Sequence, residues 1–88
     1  MNDKEFYLIL GFVKISQYRI NTLKSIGETL KMPSEIAREN NYKTSQVSSA
    51  LYDLKRKNLV FCVNEEVRKG RLYKCTPLGL KILSHIKE

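Results

Sequence analysis

The ten residues KTSQVSSALY, from Lys43 to Tyr52, set Lys43, Thr44, Ser45, Gln46, Ser48, Ser49 and Tyr52 around only three apolar side chains. Hydroxyls and a carboxamide both donate and accept hydrogen bonds, so this stretch suits recognition of another molecule's polar groups. Further along, Arg68, Lys69 and Arg71 surround Gly70. A basic cluster at a flexible tip suits a polyanion. Catalysis has less to draw on: no Ser/His/Asp or Cys/His set, no Gly-rich phosphate loop and no carboxylate pair is recognisable in the sequence. We therefore expect a binding protein, with no enzymatic activity and no cofactor.

The charge balance agrees. The 88 residues carry a net charge of +7. Met1 to Tyr42 holds six Lys and Arg against five Asp and Glu, whereas Lys43 to Glu88 holds ten against four. The second half is where a polyanion would be held. A hydrophobic content of 42% argues against wholesale disorder. This length allows one domain with a small core, a size at which dimerisation is common. No apolar run reaches the roughly 18 residues of a membrane span, and no signal-peptide pattern opens the chain, so a cytoplasmic location is expected. Cys62 and Cys75 lack a CxxC pair or nearby histidine, and His85 stands alone, so no metal site is expected.

The apolar spacing dictates what must hold these residues. Phe6, Ile9, Leu10 and Val13 fall at i, i+3, i+4 and i+7, an amphipathic helix within 1–15. Ser16 is an available cap for a second helix with Ile20, Leu23 and Ile26 in register, and Gly27 is its stop. A small strand is expected just before Pro33. Pro33 suits a helix's first turn, and Asn40-Asn41 suits its end because Asn tolerates the left-handed conformation. Thr44 or Ser45 then caps a longer helix that buries Val47, Ala50, Leu51 and Leu54 and stops near Asn58. The segment 59–76 changes to strand composition around a charged tip, predicting a β-hairpin. With its turn centred on Arg68-Lys69, Cys62 and Cys75 would lie opposite each other, although free thiols are expected in a cytosolic chain. Leu78, Ile82, Leu83 and Ile86 mark a last helix over 77–88.

This order resembles a winged helix-turn-helix domain, mainly α with a small β-hairpin. SEIARENNYKTSQVSSALYDLKRKNLV resembles the helix-turn-helix (33–58) of the MarR, ArsR and PadR-like transcription regulators, and RKGRLYKCTPLGLKIL resembles their wing and the helix after it. The resemblance rests on Ala37, the turn residue Asn41 and the buried Val47 at the spacing such motifs use. It departs at Asn41, where Gly is usual, at Asn40, usually apolar, and at Met32, usually a capping Ser or Thr. It implies a transcription regulator binding double-stranded DNA.

In such a domain Lys43, Thr44, Ser45, Gln46, Ser48, Ser49 and Tyr52 would enter the major groove, with Gln46 suited to a bidentate contact with adenine. Arg68, Lys69 and Arg71 would lie on the flanking backbone or minor groove. Lys55, Arg56 and Lys57 are expected to favour the helix C-terminus instead. A homodimer is expected through Phe6, Ile9, Leu10, Val13, Ile82, Leu83 and Ile86, matching a palindromic site. The residues leave open a protein-interaction module and a sequence-blind nucleoid protein, and they identify no small-molecule effector.

Overall fold

The computed structural model describes residues 1–86; the expected extension of the last helix over 87 and 88 lies outside the described residues. Five helices and two short strands follow one another as α1 (Asp3–Lys14), α2 (Gln17–Ile26), α3 (Pro33–Asn40), α4 (Thr44–Arg56), β1 (Val60–Cys62), β2 (Tyr73–Cys75) and α5 (Pro77–Ile86).

Each boundary has a local cause. The Asn2 carboxamide oxygen accepts from Glu5 N at 2.8 Å and opens α1. Ser16 Oγ accepts from Arg19 N at 3.3 Å and opens α2, and Gly27 closes it at φ 49. Pro33 occupies the first turn of α3, and Asn41 ends that helix left-handed at φ 57, ψ 41. Asn58, at φ 61, turns the chain from α4 into the hairpin. At the start of α5, Thr76 Oγ1 accepts from Gly79 N at 2.9 Å while its own hydroxyl donates to Asn58 O at 2.7 Å.

The helices enclose one core. Leu23 and Ile26 of α2, Ile36 of α3, and Val47 and Leu54 of α4 are fully buried together with Leu59 and Ile82. Burying a leucine or isoleucine contributes roughly 1.5–3 kcal/mol relative to exposure, so this cluster carries much of the stability. Lys31 and Tyr73 exchange backbone hydrogen bonds at 3.1 and 2.9 Å. The strand expected before Pro33 is thus a single bridge on the edge of β2.

Two expectations change. Phe6, Leu10, Val13, Ile82 and Leu83, read as a dimer surface, are buried in this chain's own core, with Ile9 and Ile86 partly buried against it. An amphipathic stripe looks the same whether its partner is the same chain or another, and here α1 and α5 cover one another's neighbours. The wing register also differs: Val60 pairs with Cys75 and Cys62 with Tyr73. The cysteines are therefore not opposite one another, and both are free. Burial pushes the Cys75 thiol up to about 11, which leaves little reactive thiolate at neutral pH.

The tightest approach is α5 against the start of the wing. A Cβ on Gly79 would stand 2.0 Å from Leu59 O, and both groups belong to rigid backbone. Gly79→Ala is expected to destabilise the chain by at least about 2 kcal/mol through overpacking. Urea denaturation followed by circular dichroism measures this, and a change below about 0.5 kcal/mol would mean that α5 shifts freely.

Candidate nucleic-acid interface

The face of α4 opposite its buried stripe is polar and open. Lys43, Thr44, Ser45, Ser48, Ser49 and Tyr52 are exposed, and Gln46 is half-buried. The structure divides them between two surfaces. Thr44, Ser48 and Tyr52, spaced at one and two helical turns, line a cleft of about 540 Å³ together with Lys55, Arg68, Lys69 and Arg71 of the wing. Ser45, Gln46 and Ser49 face a second cleft beside Ser16 and Tyr18 of α2. Met32, Pro33 and Ser34 at the start of α3 also line the first cleft; they carry no basic charge, and the sequence marks Met32 and Pro33 only as a helix start.

The first residues of α4 are held differently from the expectation. The cap is Lys43, not Thr44 or Ser45, and Gln46 Oε1 accepts from Lys43 N at 2.9 Å. The Gln46 amide nitrogen donates to Tyr18 Oη at 3.0 Å. Both ends of the carboxamide are thus engaged within the chain, and Gln46 fixes the start of α4 on α2. Thr44, Ser48 and Tyr52 keep their polar atoms free of hydrogen-bond partners among the described residues.

The wing is shaped by residues that sequence reasoning passed over. Asn64 Oδ1 accepts from Leu72 N at 2.8 Å, and its amide nitrogen donates to Gly70 O at 3.2 Å. Arg71 curls inward, donating to Val67 O at 2.7 Å and Glu65 O at 3.1 Å, so it braces the tip. Gly70 adopts φ 75, which a side chain would strain. Arg68 and Lys69 form no ion pair among the described residues and stand exposed. Lys55 pairs with Glu65, linking the end of α4 to the wing loop. That hydrogen bond holds Lys55 above its ordinary value and Glu65 below the usual carboxylate range. Since the Glu65 contribution requires the ionised carboxylate, the link weakens as pH falls through its lowered value.

Arg19 sets the angle of α4. Its guanidinium donates to Phe12 O at 2.7 Å, pairs with Asp53 of α4 at 3.2 Å and lies 3.8 Å over the Phe12 ring. One side chain thereby joins three helices. Asp53 lies far along the sequence, so no local pattern reveals the pairing. On the other side, Asn40 explains its polar identity by donating to Ser25 Oγ at 2.8 Å.

A polar helix face beside a basic hairpin, above two helices crossed at a left-handed asparagine turn, defines a winged helix-turn-helix domain. The architecture is similar to that of the S. aureus MepR–DNA complex, with a TM-score of 0.73 and 19% identity over 96% of this chain and 71% of that one. A mutant MepR from a multidrug-resistant S. aureus clinical isolate is similar with a TM-score of 0.58 and 18% identity, over 100% of this chain and 56% of that one. At this identity the likeness establishes the fold. No protein-family model matches the sequence, nor does any curated protein.

Because the Gln46 side chain satisfies the backbone N–H of the cap residue Lys43 and bonds Tyr18, Gln46→Ala is expected to lower stability by roughly 0.5–2 kcal/mol, the usual effect of losing hydrogen bonds at a helix N-terminus. Thermal and urea denaturation measure it; unchanged stability would mean that the carboxamide is free to act elsewhere.

Proposed function

We propose that the chain is a cytoplasmic, sequence-specific regulator of transcription that binds double-stranded DNA as a homodimer. The observation that carries this reading is the shared cleft: the open hydroxyls of Thr44, Ser48 and Tyr52 face the same space as Arg68 and Lys69. The start of α4 enters the major groove, where hydroxyls reach base edges, while the wing tip neutralises phosphates. Ser45 and Ser49, on the adjoining surface, contact backbone oxygens together with Lys43. Gln46 and Arg71 contribute by position, one holding α4 and the other holding the wing, and Gln46 reads adenine only by giving up its bonds to Lys43 and Tyr18.

The comparison supports the same reading. MepR is a MarR-family winged-helix regulator, and its structure on DNA has this architecture. The excess of base over acid from Lys43 onward adds the long-range attraction that brings a polyanion to this face. A twofold pair matches a palindromic site whose half-sites lie about one DNA turn apart.

Fluorescence anisotropy against the DNA upstream of the chain's own gene and a scrambled duplex, titrated across salt concentrations, tests the proposal. Preferential binding with a steep salt slope is expected, and Arg68→Ala with Lys69→Ala should reduce that slope by about 2. Ser48→Ala should alter preference among duplexes more than overall affinity. Equal binding to both duplexes would favour a sequence-blind architectural protein, and no binding at all would favour a protein-interaction module.

A further inference from the structure

Lys55 stands at the meeting point of α4 and the wing. Thr44, Ser48, Tyr52 and Lys55 follow at i, i+4, i+8 and i+11, so one face of α4 carries all four over about 16 Å of its axis. All four line the cleft that holds Arg68 and Lys69. The neighbouring cations turn elsewhere: Arg56 lies 5.8 Å from the centre of the Tyr52 ring and Lys57 lies over Phe12 at 5.1 Å. A cation at the far end of a groove-facing helix comes level with the phosphates of the groove wall, because the major groove is only about 12 Å wide. Lys55 is already engaged, however. Its ammonium donates to the Glu65 carboxylate of the wing loop.

We propose that DNA binding exchanges partners at Lys55: the ammonium leaves Glu65 for a backbone phosphate, so that Glu65 is an internal competitor limiting the strength of that contact. Magnitudes favour the exchange. The Lys55 and Glu65 side chains are 48% and 57% exposed, and an exposed ion pair shifts an equilibrium by about fivefold at most. A duplex presents one phosphate charge per roughly 1.7 Å of axis, a denser field than a single carboxylate offers. Opening a buried pair would strand a charge away from water; here both groups stay solvated. The wing loop keeps the competitor in place. Arg71 Nη2 donates to Glu65 O at 3.1 Å and Arg71 Nε to Val67 O at 2.7 Å, so the loop folds back and holds Glu65 against α4. The Arg71 charge also acts on the Glu65 carboxylate, which leaves the released group beside a cation.

The restraint acts on every duplex alike. Phosphates carry no sequence information, so the carboxylate lowers affinity for all DNA by one factor and leaves the preference set by Thr44 and Ser48 unchanged. A chain of net charge +7 would otherwise hold any polyanion it met. A built-in repulsive element keeps such contacts weak and reversible. The inference rests on the DNA-binding reading: it assigns Lys55 to that interface and Glu65 to its restraint. Glu66 is the internal control. It is exposed, sits in the same loop with the same charge, and forms no ion pair among the described residues.

A double-mutant cycle read by fluorescence anisotropy tests the exchange. Wild type, Glu65→Gln, Lys55→Met and the double variant are titrated against the duplex upstream of the chain's own gene and against a scrambled duplex. Glu65→Gln is expected to tighten both complexes by about two- to fivefold, and by more than Glu66→Gln does. In the Lys55→Met background the same change should do no more than Glu66→Gln, since the partner through which Glu65 acts is gone. Lys55→Met alone should weaken both complexes alike and reduce the salt slope by about 1. Equal tightening in both backgrounds, an effect no larger than that of Glu66→Gln, or a salt slope untouched by Lys55→Met would overturn the proposal. Circular dichroism establishes that each variant is folded. The two readings fail differently: a wild-type chain that binds neither duplex overturns the DNA reading and this inference with it, whereas binding with independent effects of Lys55 and Glu65 overturns the exchange alone.

Discussion

Every exposed group on α4 depends on how its buried side is held. Val47, Leu51 and Leu54 lock into a core shared with Leu23 of α2 and Ile36 of α3, while Arg19 grips Asp53 and the end of α1. Packing of this kind fixes both the axis and the rotation of a helix, because interdigitated side chains have few equivalent arrangements. Rotation matters most for recognition. One step along the helix would exchange the hydroxyls facing the wing cleft for those facing α2.

The wing is held to α4 by a different kind of interaction. Leu59 and Val60 anchor its base in the core, and Gly79 lets α5 press against Leu59. Its tip relies on polar groups: Asn64 and Arg71 satisfy loop carbonyls and amides that would otherwise face water. The polar bonds brace the tip while the buried base keeps its distance to α4. That combination suits a basic arm that must follow a phosphate backbone, since Arg68 and Lys69 are left unpaired among the described residues.

Much of this arrangement was legible where one residue type settles the backbone. Pro33, Gly27 and Asn41 mark helix ends because each restricts or tolerates particular dihedral angles, and the apolar spacing over 36–54 identifies the helix-turn-helix. The wing register was not legible, since the Asn64 and Arg71 contacts that shape the loop displace its centre from Arg68-Lys69. The dimer stripe failed for another reason: periodicity reports that a face is apolar, not what covers it. Gln46 suits a base contact by residue type, whereas its bond to Tyr18 Oη depends on tertiary geometry that no local pattern reveals. Among the basic residues, Arg71 turned out to be a brace and Lys55 a link to Glu65, distinctions that charge alone cannot draw.

The central claim is that one surface, formed by the start of α4 and the wing tip, meets duplex DNA. Two-dimensional NMR of the 15N-labelled chain, titrated with a duplex that it binds, tests this directly. Amide signals of Lys43 to Tyr52 and Arg68 to Gly70 are expected to shift together and saturate at one stoichiometry, while those on the far side of α2 and α5 stay in place. Shifts centred on other elements, with these two segments unmoved, would contradict it.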